Sequence, residues 1–303
     1  MYNEDIKRRY IEIKERETIL PTKYFETLFS NTEQYEKEYN KDICNFSLYE
    51  IKDFYKMYNT ASISVLNTMN SHLGMYTQWC INEGFVIDGQ NHFLELSSLD
   101  LKSYLNIAKI NSSVITKDDI IKWCKLLDNA RDKFILLSLF EFGRSQNYTD
   151  IIHARLCDID GNNIRLYSGR TVVISDELKK FAIESSAAEE YNSSRMTKIN
   201  ILVDDGSIIK KFTNTDNDDE YLSGRRIYNT VIKSLKTVNA NNININNIVN
   251  SGILSMVLRR SKELNLDPVE YLNSDYISEI ENQYNVLRSS FKVNFIMTYA
   301  DYL

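Results

Sequence analysis

The sequence predicts a mainly α-helical protein of two domains, the second of which carries a small antiparallel β-sheet, an α+β class. Apolar residues recur at helical spacing over most of the 303 residues, and a strand-like period appears in one short region after residue 160. The chain has only two Pro and nine Gly. So few turn-forming residues argue against an all-β fold. With 43% hydrophobic residues the chain can bury a core, which excludes wholesale disorder.

The first hundred residues read as successive helices. Residues 3–17 balance acids and bases around a thin apolar stripe, which predicts an exposed or partner-seeking N-terminal helix. Aromatic-rich helical spacing follows over 22–39 and 47–58. The clearest helix begins after Ser62, a suitable N-cap, and ends before a glycine at position 84. One further short helix is expected over 97–108.

We place the domain boundary in the weakly apolar stretch that follows. This gives a helical domain over 1–110 and a second domain over 111–303. Thr116 is predicted to cap the first helix of the second domain, because two acids stand in the turn after it. Residues 132–142 are apolar on nearly all sides, which indicates a buried central helix, and Gly143 is suited to end it.

The rest of the second domain mixes helices and strands. A helix is expected over 149–160, and then residues 162–175 predict two strands joined through a Ser-Gly turn. Helix 176–188 comes next, and 201–205 is suited to pair as a third strand. Near the end, Asp267 followed by Pro, Val and Glu predicts a strong helix start.

The composition also limits the classes of function. The cysteines stand singly, and no run approaches the ~20 apolar residues of a membrane span. No signal peptide opens the sequence, so we expect reduced thiols, a cytoplasmic location and no membrane partner. Three His without a surrounding motif supply neither a zinc site nor a His-based catalytic system. We therefore expect no metal and no cofactor.

Charge is segregated along the chain. The net charge is −6, but the stretch from Tyr221 to Lys262 holds seven bases, eight Asn and no acid. Removing this +7 stretch leaves −13 for the rest, a distribution typical of a phosphate-binding surface. An AT-rich genome would also enrich Asn, so the Asn run is not evidence by itself.

These patterns predict double-stranded DNA as the partner. The polar face of the helix after Ser62 is expected to enter a groove, and arginines of the second domain to meet phosphates, so that two domains clamp the duplex. The predicted DNA-binding residues are Ser62, Ser64, Asn67, Asn70, Arg144, Arg170, Arg225, Arg226, Lys233, Asn247, Asn250, Arg259 and Arg260.

Several segments resemble the tyrosine recombinase or phage integrase family. Residues 62–86, with a Trp and a closing Gly, are similar to a helix of its core-binding domain. Residues 134–178 resemble the opening of its catalytic domain, and 221–236 are similar to the following helix. Residues 246–258 lie where that family has its H-x-L-R-H box. The resemblance spans about 45–285 and implies the recombinase fold.

The departures concern the catalytic set. In the family two arginines grip the scissile phosphate and a tyrosine attacks it. Here Asn147 holds the place of the first arginine, with Arg144 three residues early, and Asn247 and Asn250 hold the His and Arg places of the box. Tyr284 stands near the expected distance for the nucleophile. Neutral Asn cannot replace a bidentate guanidinium, and losing one such donor typically costs about 10²–10³ in rate.

A recombinase scaffold without its catalytic set resembles the lytic-cycle repressors of SPβ-type phages, the MrpR family. The opening MYNEDIKRRY and the general layout carry this resemblance. It implies a sequence-specific DNA-binding transcriptional repressor that maintains lysogeny of a temperate phage and is not an enzyme. The implied partner is phage operator DNA in the bacterial cytoplasm. Self-association or an anti-repressor protein is a further partner that this role allows.

Two alternatives stay open from the sequence. One is an active but divergent recombinase that uses Tyr284, with Arg144 displaced into the clamp. A covalent protein–DNA adduct that is lost in Tyr284→Phe would establish it. The other is a protein-interaction module that uses the charged N-terminal helix and no DNA. Charge reversal at Arg225 and Arg226 with function intact would favour that alternative.

Overall fold

A computed structural model describes residues 1–17, 21–193, 199–213, 220–286 and 288–303. They form two compact units, Met1–Ile110 with Met297–Ala300, and Asn111–Ile296 with Asp301–Leu303. Helices dominate both units and the strands all lie in the second, which confirms the predicted α+β class and two-domain architecture. Among the described residues, no helix combines the length and apolar character needed to cross a bilayer.

Helices account for the first unit. The elements up to the division between the units are α1 (Glu4–Glu17), α2 (Thr22–Tyr39), α3 (Leu48–Tyr58), α4 (Ile63–Asn82), α5 (Ser98–Lys102) and α6 (Ile107–Ser113). The Ser62 hydroxyl accepts a hydrogen bond from the backbone N–H of Val65, so the predicted cap of α4 is confirmed. The region 97–108 holds two short helices instead of one, because the Asn106 side chain caps a separate start at α6.

The N-terminal helix is part of the core, so its predicted exposure is wrong. Tyr10 is 1% exposed and packs edge-on against Phe25, Phe29 and Tyr76, whose rings lie on α2 and α4. One turn earlier, Lys7 is fully buried. A lysine at a core-facing position made the buried stripe of α1 look thinner in the sequence than it is.

An ion network neutralises that buried lysine. Lys7 Nζ lies 2.5 Å and 2.6 Å from the two carboxylate oxygens of Glu36, and 3.7 Å from Oδ2 of Asp42. Glu36 also accepts hydrogen bonds from the Thr32 hydroxyl and the backbone N–H of Ile43. Burial raises the pKa of Glu36, and the nearby Lys7 opposes that rise. The network ties α1 to α2 and to the loop that follows α2.

The second unit contains the remaining elements. They are α7 (Lys117–Lys125), α8 (Ala130–Phe142), α9 (Thr149–Ile152), β1 (Ile159–Asp160), β2 (Asn163–Arg165), β3 (Thr171–Val173), α10 (Asp176–Ala187), β4 (Glu190–Asn192), β5 (Ile199–Ile201), α11 (Glu220–Thr237), α12 (Ile245–Leu264), α13 (Pro268–Asn273), α14 (Ile277–Tyr284) and α15 (Arg288–Thr298). Residues 297 and 298 of α15 group with the first unit.

Helix α8 is the centre of the second unit, as predicted. Nine of its thirteen residues are buried, and α7, α10 and α12 pack around it. Gly143 follows with φ 74°, a backbone conformation that favours glycine. The predicted caps at Thr116 and Asp267 are confirmed, since each side chain accepts a backbone N–H of the helix that it begins.

The predicted pair of strands within 162–175 is confirmed as β2 and β3, which pair antiparallel, but the elements around them differ from the prediction. The expected helix over 149–160 is only the single turn α9, after which β1 joins β2 and β3 in a three-stranded antiparallel sheet in the order β1-β2-β3. Gly161, with φ 57°, makes the tight turn between β1 and β2 possible. The stretch 201–205 does not join this sheet. Instead β5 pairs antiparallel with β4, with Tyr191 opposite Asn200.

Candidate nucleic-acid interface

A tight turn after α8 shapes one surface of the second unit. Asn147 and Tyr148 have φ values of 50° and 59°, a left-handed conformation that Asn adopts more readily than most residues. Helix α11 packs on this turn at Gly224. A Cβ at Gly224 would lie 2.7 Å from the carbonyl oxygen of Asn147. The absence of a side chain therefore brings the start of α11 directly against the turn.

The turn and α11 enclose an open groove of about 650 Å³, here called the arginine groove. No carboxylate of the described residues lines it, and Arg144 and Arg225 are both exposed at its surface. Neither arginine has an ion pair or hydrogen bond with the described part of the chain. Its lining residues include Arg144, Gln146, Asn147, Arg225, Tyr228 and Asn285.

The other predicted bases of α11 lie outside the arginine groove. Arg226 is exposed but does not line it. Lys233 is half-buried, with its ammonium 5.8 Å from the ring centre of Tyr191. Cation–π geometry of this kind stabilises packing, so Lys233 has a structural partner already.

Two predicted DNA contacts at the end of α12, Arg259 and Arg260, form ion pairs with acids. The guanidinium of Arg260 donates to both carboxylate oxygens of Glu279, at 2.7 Å and 2.8 Å, and to Glu263 at 2.6 Å. Arg259 pairs with Glu263 at 3.2 Å. The stretch 221–262 has no acid in its sequence, but Glu263 and Glu279 pair with two of the three bases at its C-terminal end. Each of the three side-chain nitrogens of Arg260 therefore has a partner within the fold, whereas Arg259 is exposed.

The Arg260–Glu279 pair should make stability depend on pH. The hydrogen bond from Arg260 is the largest cause that lowers the pKa of Glu279 from its ordinary 4.5, and burial opposes it. Because the folded pKa is depressed, the contribution is present above 4.5 and is lost as the pH falls through the folded value. At neutral pH, Glu279→Gln should lower the free energy of unfolding by no more than about 1 kcal/mol, since the pair is partly exposed.

Urea unfolding of the wild type and Glu279→Gln, at neutral pH and at successive values below 4.5, measures this difference. The deficit of the variant should shrink as the pH falls. A deficit that stays constant across that range would assign the effect to packing and not to the ion pair.

Arg170 is also committed within the fold, so its predicted phosphate contact is corrected. Its Nη2 donates to Oδ2 of the fully buried Asp150 at 2.7 Å, and its Nε donates to the Ser168 hydroxyl. Its Nη1 donates to the backbone carbonyls of residues 282 and 283. These bonds fasten the start of β3 to α9 and to the end of α14, and they leave Arg170 a structural residue.

The two Asn of the predicted box do different things. Asn247 forms a reciprocal capping box with Asn244, in which each side-chain oxygen accepts the backbone N–H of the other residue. Asn247 therefore stabilises the start of α12. Asn250 is half-buried one turn further along α12 and does not line the arginine groove.

Tyr284 is a buried capping residue. Its hydroxyl donates to the carbonyl oxygen of Phe140 at 2.9 Å, and Gln283 Nε2 donates to the carbonyl of Glu141 at 2.8 Å. Both carbonyls belong to the last turn of α8, where intrahelical partners are lacking. Burial, followed by the nearby carboxylate of Glu141, raises the pKa of the Tyr284 hydroxyl far above its ordinary range. The hydroxyl is therefore neutral and already engaged.

Two glycines provide the space for the Tyr284 ring. A Cβ at Gly143 would lie 3.3 Å from the ring and 3.1 Å from the backbone oxygen of Tyr284. On α12, a Cβ at Gly252 would lie 3.0 Å from the hydroxyl and 1.9 Å from the Phe140 oxygen. Both glycines are therefore required for the ring to reach the end of α8.

The predicted face of α4 divides into structural and exposed residues. Ser62 is the cap described above, and Asn70 is engaged, accepting from the Tyr55 hydroxyl and donating to the Phe93 carbonyl. Ser64 is exposed. Asn67 lines an open groove of about 600 Å³ whose lining residues are all uncharged. The first unit thus presents a neutral surface here, unlike the arginine groove.

Gly224 and Tyr228 were missed as site residues by sequence reasoning. A glycine inside a helical pattern indicates a close backbone approach, and that signal was present at Gly224. Tyr228 is one of 20 tyrosines, so nothing in its local sequence distinguished it. Among the described residues no group of three His, Cys, Asp or Glu is placed to hold a metal ion.

Comparison with known proteins agrees with this architecture. The model of the MrpR N-terminal core-binding domain matches residues 1–82, and the model of the MrpR C-terminal catalytic domain matches residues 114–301. The chain is also similar to the SPbeta prophage-derived uncharacterized protein YopR of Bacillus subtilis (strain 168). The two are 22% identical over 306 residues, which cover 95% of this chain and 92% of that protein. Since the catalytic-domain model alone matches more than half of the residues, the chain belongs to the MrpR family.

Proposed function

We propose that this chain is a DNA-binding transcriptional repressor that holds the lytic cycle of a temperate phage in check from the bacterial cytoplasm, without recombinase activity. The core-binding domain model over residues 1–82 and the prophage origin of the similar protein support DNA as the partner and a phage as the context. The arginine groove supports a surface for anions.

The burial and hydrogen bonding of the Tyr284 hydroxyl support the non-catalytic part of the proposal. Cleavage in the tyrosine recombinases needs a tyrosine hydroxyl that is free to attack a phosphate gripped by arginines. Here the hydroxyl is fully buried and donates to the end of α8, while neutral Asn147 and Asn250 stand at the arginine places. An activated nucleophile needs a nearby base and an open path to its target. This arrangement favours binding over chemistry.

Operator binding is the test of the proposed repressor. A genome-wide footprint in a lysogenic host should yield a small set of phage sites. Fluorescence anisotropy on one such duplex should then show an affinity at least about 10³-fold above that for a scrambled duplex. The affinity should fall steeply between about 50 and 200 mM salt, because phosphate contacts release counterions. Equal and weak binding to every duplex would contradict the proposal.

A further inference from the structure

We propose that the arginine groove anchors one backbone phosphate of the bound duplex, with Arg144 and Arg225 as its charged donors and Tyr228 as a neutral one. The inference rests on the proposed function and deepens it, because it assigns a contact point and a role within the DNA interface. The anchor would hold the register of the duplex without reading bases, as phosphate contacts do.

The availability of the two guanidinium groups is the first argument. The guanidinium groups of Arg170 and Arg260 already donate hydrogen bonds to carboxylates of Asp150 and Glu279. Arg144 and Arg225, in contrast, are exposed and have no partner in the described residues. The two non-bridging oxygens of a phosphodiester can accept a pair of N–H bonds from one guanidinium, whose planar fork of donors suits this geometry. Tyr228 is 48% exposed at the same groove and can donate its hydroxyl.

The electrostatics of the groove are the second argument. Its other lining residues within the described part of the chain are neutral, and Asp150, the carboxylate nearest in sequence to the turn, is fully buried and neutralised by Arg170. The two positive charges at this one groove repel each other. A bound phosphate relieves this repulsion, which makes the groove complementary to a single anion.

The backbone geometry is the third argument. The left-handed turn at Asn147 and the close approach of Gly224 place Arg225 of α11 at the same groove as Arg144. These two arginines come from positions other than those occupied by Asn147 and Asn250. The protein would thus grip a phosphate from a different pair of positions, while the Tyr284 hydroxyl caps α8.

Alanine variants of the full chain test the anchor. Arg144→Ala, Arg225→Ala and the double variant are compared with Arg226→Ala, which removes the same charge from the next residue of α11 but outside the groove. Anisotropy titrations use the operator and a scrambled duplex across about 50 to 200 mM salt. Each groove variant should weaken binding to both duplexes by the same factor and reduce the salt slope by about 1. Arg226→Ala should change the logarithm of the binding affinity by less than half as much as each groove variant does.

Two further arms identify the source of the phosphate. Neutral methylphosphonate is placed at single operator positions, and at one position it should remove the difference between the wild type and Arg144→Ala. Inorganic phosphate, added at constant ionic strength, should not displace the duplex. Displacement would overturn the anchor in favour of a free-anion site. Thermal unfolding of each variant confirms that it folds, and Arg225→Lys, which keeps the charge, should recover part of the loss.

The outcomes separate the anchor from the proposed function. If the wild type binds its operator but the groove variants behave like Arg226→Ala, the anchor is wrong and the repressor proposal stands. A loss confined to the operator, with scrambled DNA unaffected, would mean base reading and would also contradict the anchor. If the wild type binds no duplex specifically, the proposed function itself fails.

Discussion

Gly252→Ala should destabilise the second unit by about 3 kcal/mol, although alanine is normally the better residue inside a helix by about 1 kcal/mol. The added Cβ would lie 1.9 Å from the carbonyl oxygen of Phe140 and 2.8 Å from its carbonyl carbon. Both atoms belong to the backbone of α8, the central helix, so neither can turn aside as a side chain would. Relief requires α12 to move away from α8, which also displaces the Tyr284 hydroxyl from its acceptor.

Gly74→Ala is the matched control, since Gly74 also lies in the middle of a 20-residue helix. Its Cβ would find the nearest atom, Cβ of Phe93, at 3.5 Å, an ordinary van der Waals contact. This variant should be neutral or slightly stabilising.

The chain has two tryptophans, Trp79 in the first unit and Trp123 in the second. Urea unfolding in Trp79→Phe or Trp123→Phe backgrounds therefore reports each unit separately, as a two-domain chain requires. Equal stability of Gly252→Ala and its parent would contradict the close packing of α12 on α8.

Lys7→Met should lower the free energy of unfolding of the first unit by about 3–5 kcal/mol. The substitution keeps most of the side-chain volume but removes the charge that faces Glu36 at 2.5 Å and 2.6 Å. Glu36 is fully buried and would be left without a counter-charge. A buried carboxylate without a partner is strongly unfavourable, so the cost is set by charge and not by a cavity.

Arg8→Ala is the control for Lys7→Met, because it breaks an ion pair on the neighbouring residue of the same helix. Arg8 and its partner Glu4 are about half exposed, and solvent screens such pairs so that they contribute little to stability. Adding Glu36→Gln to Lys7→Met should restore part of the stability, since the buried charge is then removed. Unfolding is followed by Trp79, whose ring lies 5.4 Å from that of Tyr10 on α1. A Lys7→Met variant no less stable than Arg8→Ala would show that the network contributes little.

Local chemistry explains what the sequence could predict. The caps at Ser62, Thr116 and Asp267 depend on a side chain and a backbone N–H two or three residues away. The all-round apolar character of α8 likewise identified the central helix from one short window. Features of this kind are encoded within a few residues, so the helix starts and the fold class could be predicted from the sequence.

Whether an arginine is bonded within the fold depends on residues that are distant in sequence. The sequence therefore could not distinguish the arginines that have structural partners from those that do not. Arg170 finds Asp150 and the end of α14, and Arg260 finds Glu279 beyond the acid-free stretch. In sequence these arginines look the same as Arg144 and Arg225, which stay available at the groove. Only the folded chain separates structural arginines from those that can bind a ligand.

The burial of Tyr284 could not be predicted from the sequence for the same reason. Its acceptor, the carbonyl of Phe140, is 144 residues away, and the space for its ring depends on Gly143 and Gly252. By sequence spacing Tyr284 is a candidate nucleophile, whereas its contacts make it the cap of α8. The same contacts favour a non-catalytic protein over the divergent recombinase that the sequence left open.

The central claim, a protein that grips DNA without cutting it, is tested most directly by one binding reaction divided between two gels. The protein is incubated with its operator, prepared as a nicked suicide duplex that would trap any covalent intermediate. The account predicts a shifted complex on the native gel and no protein–DNA adduct on the denaturing gel. An adduct formed by the wild type and absent in Tyr284→Phe would contradict it.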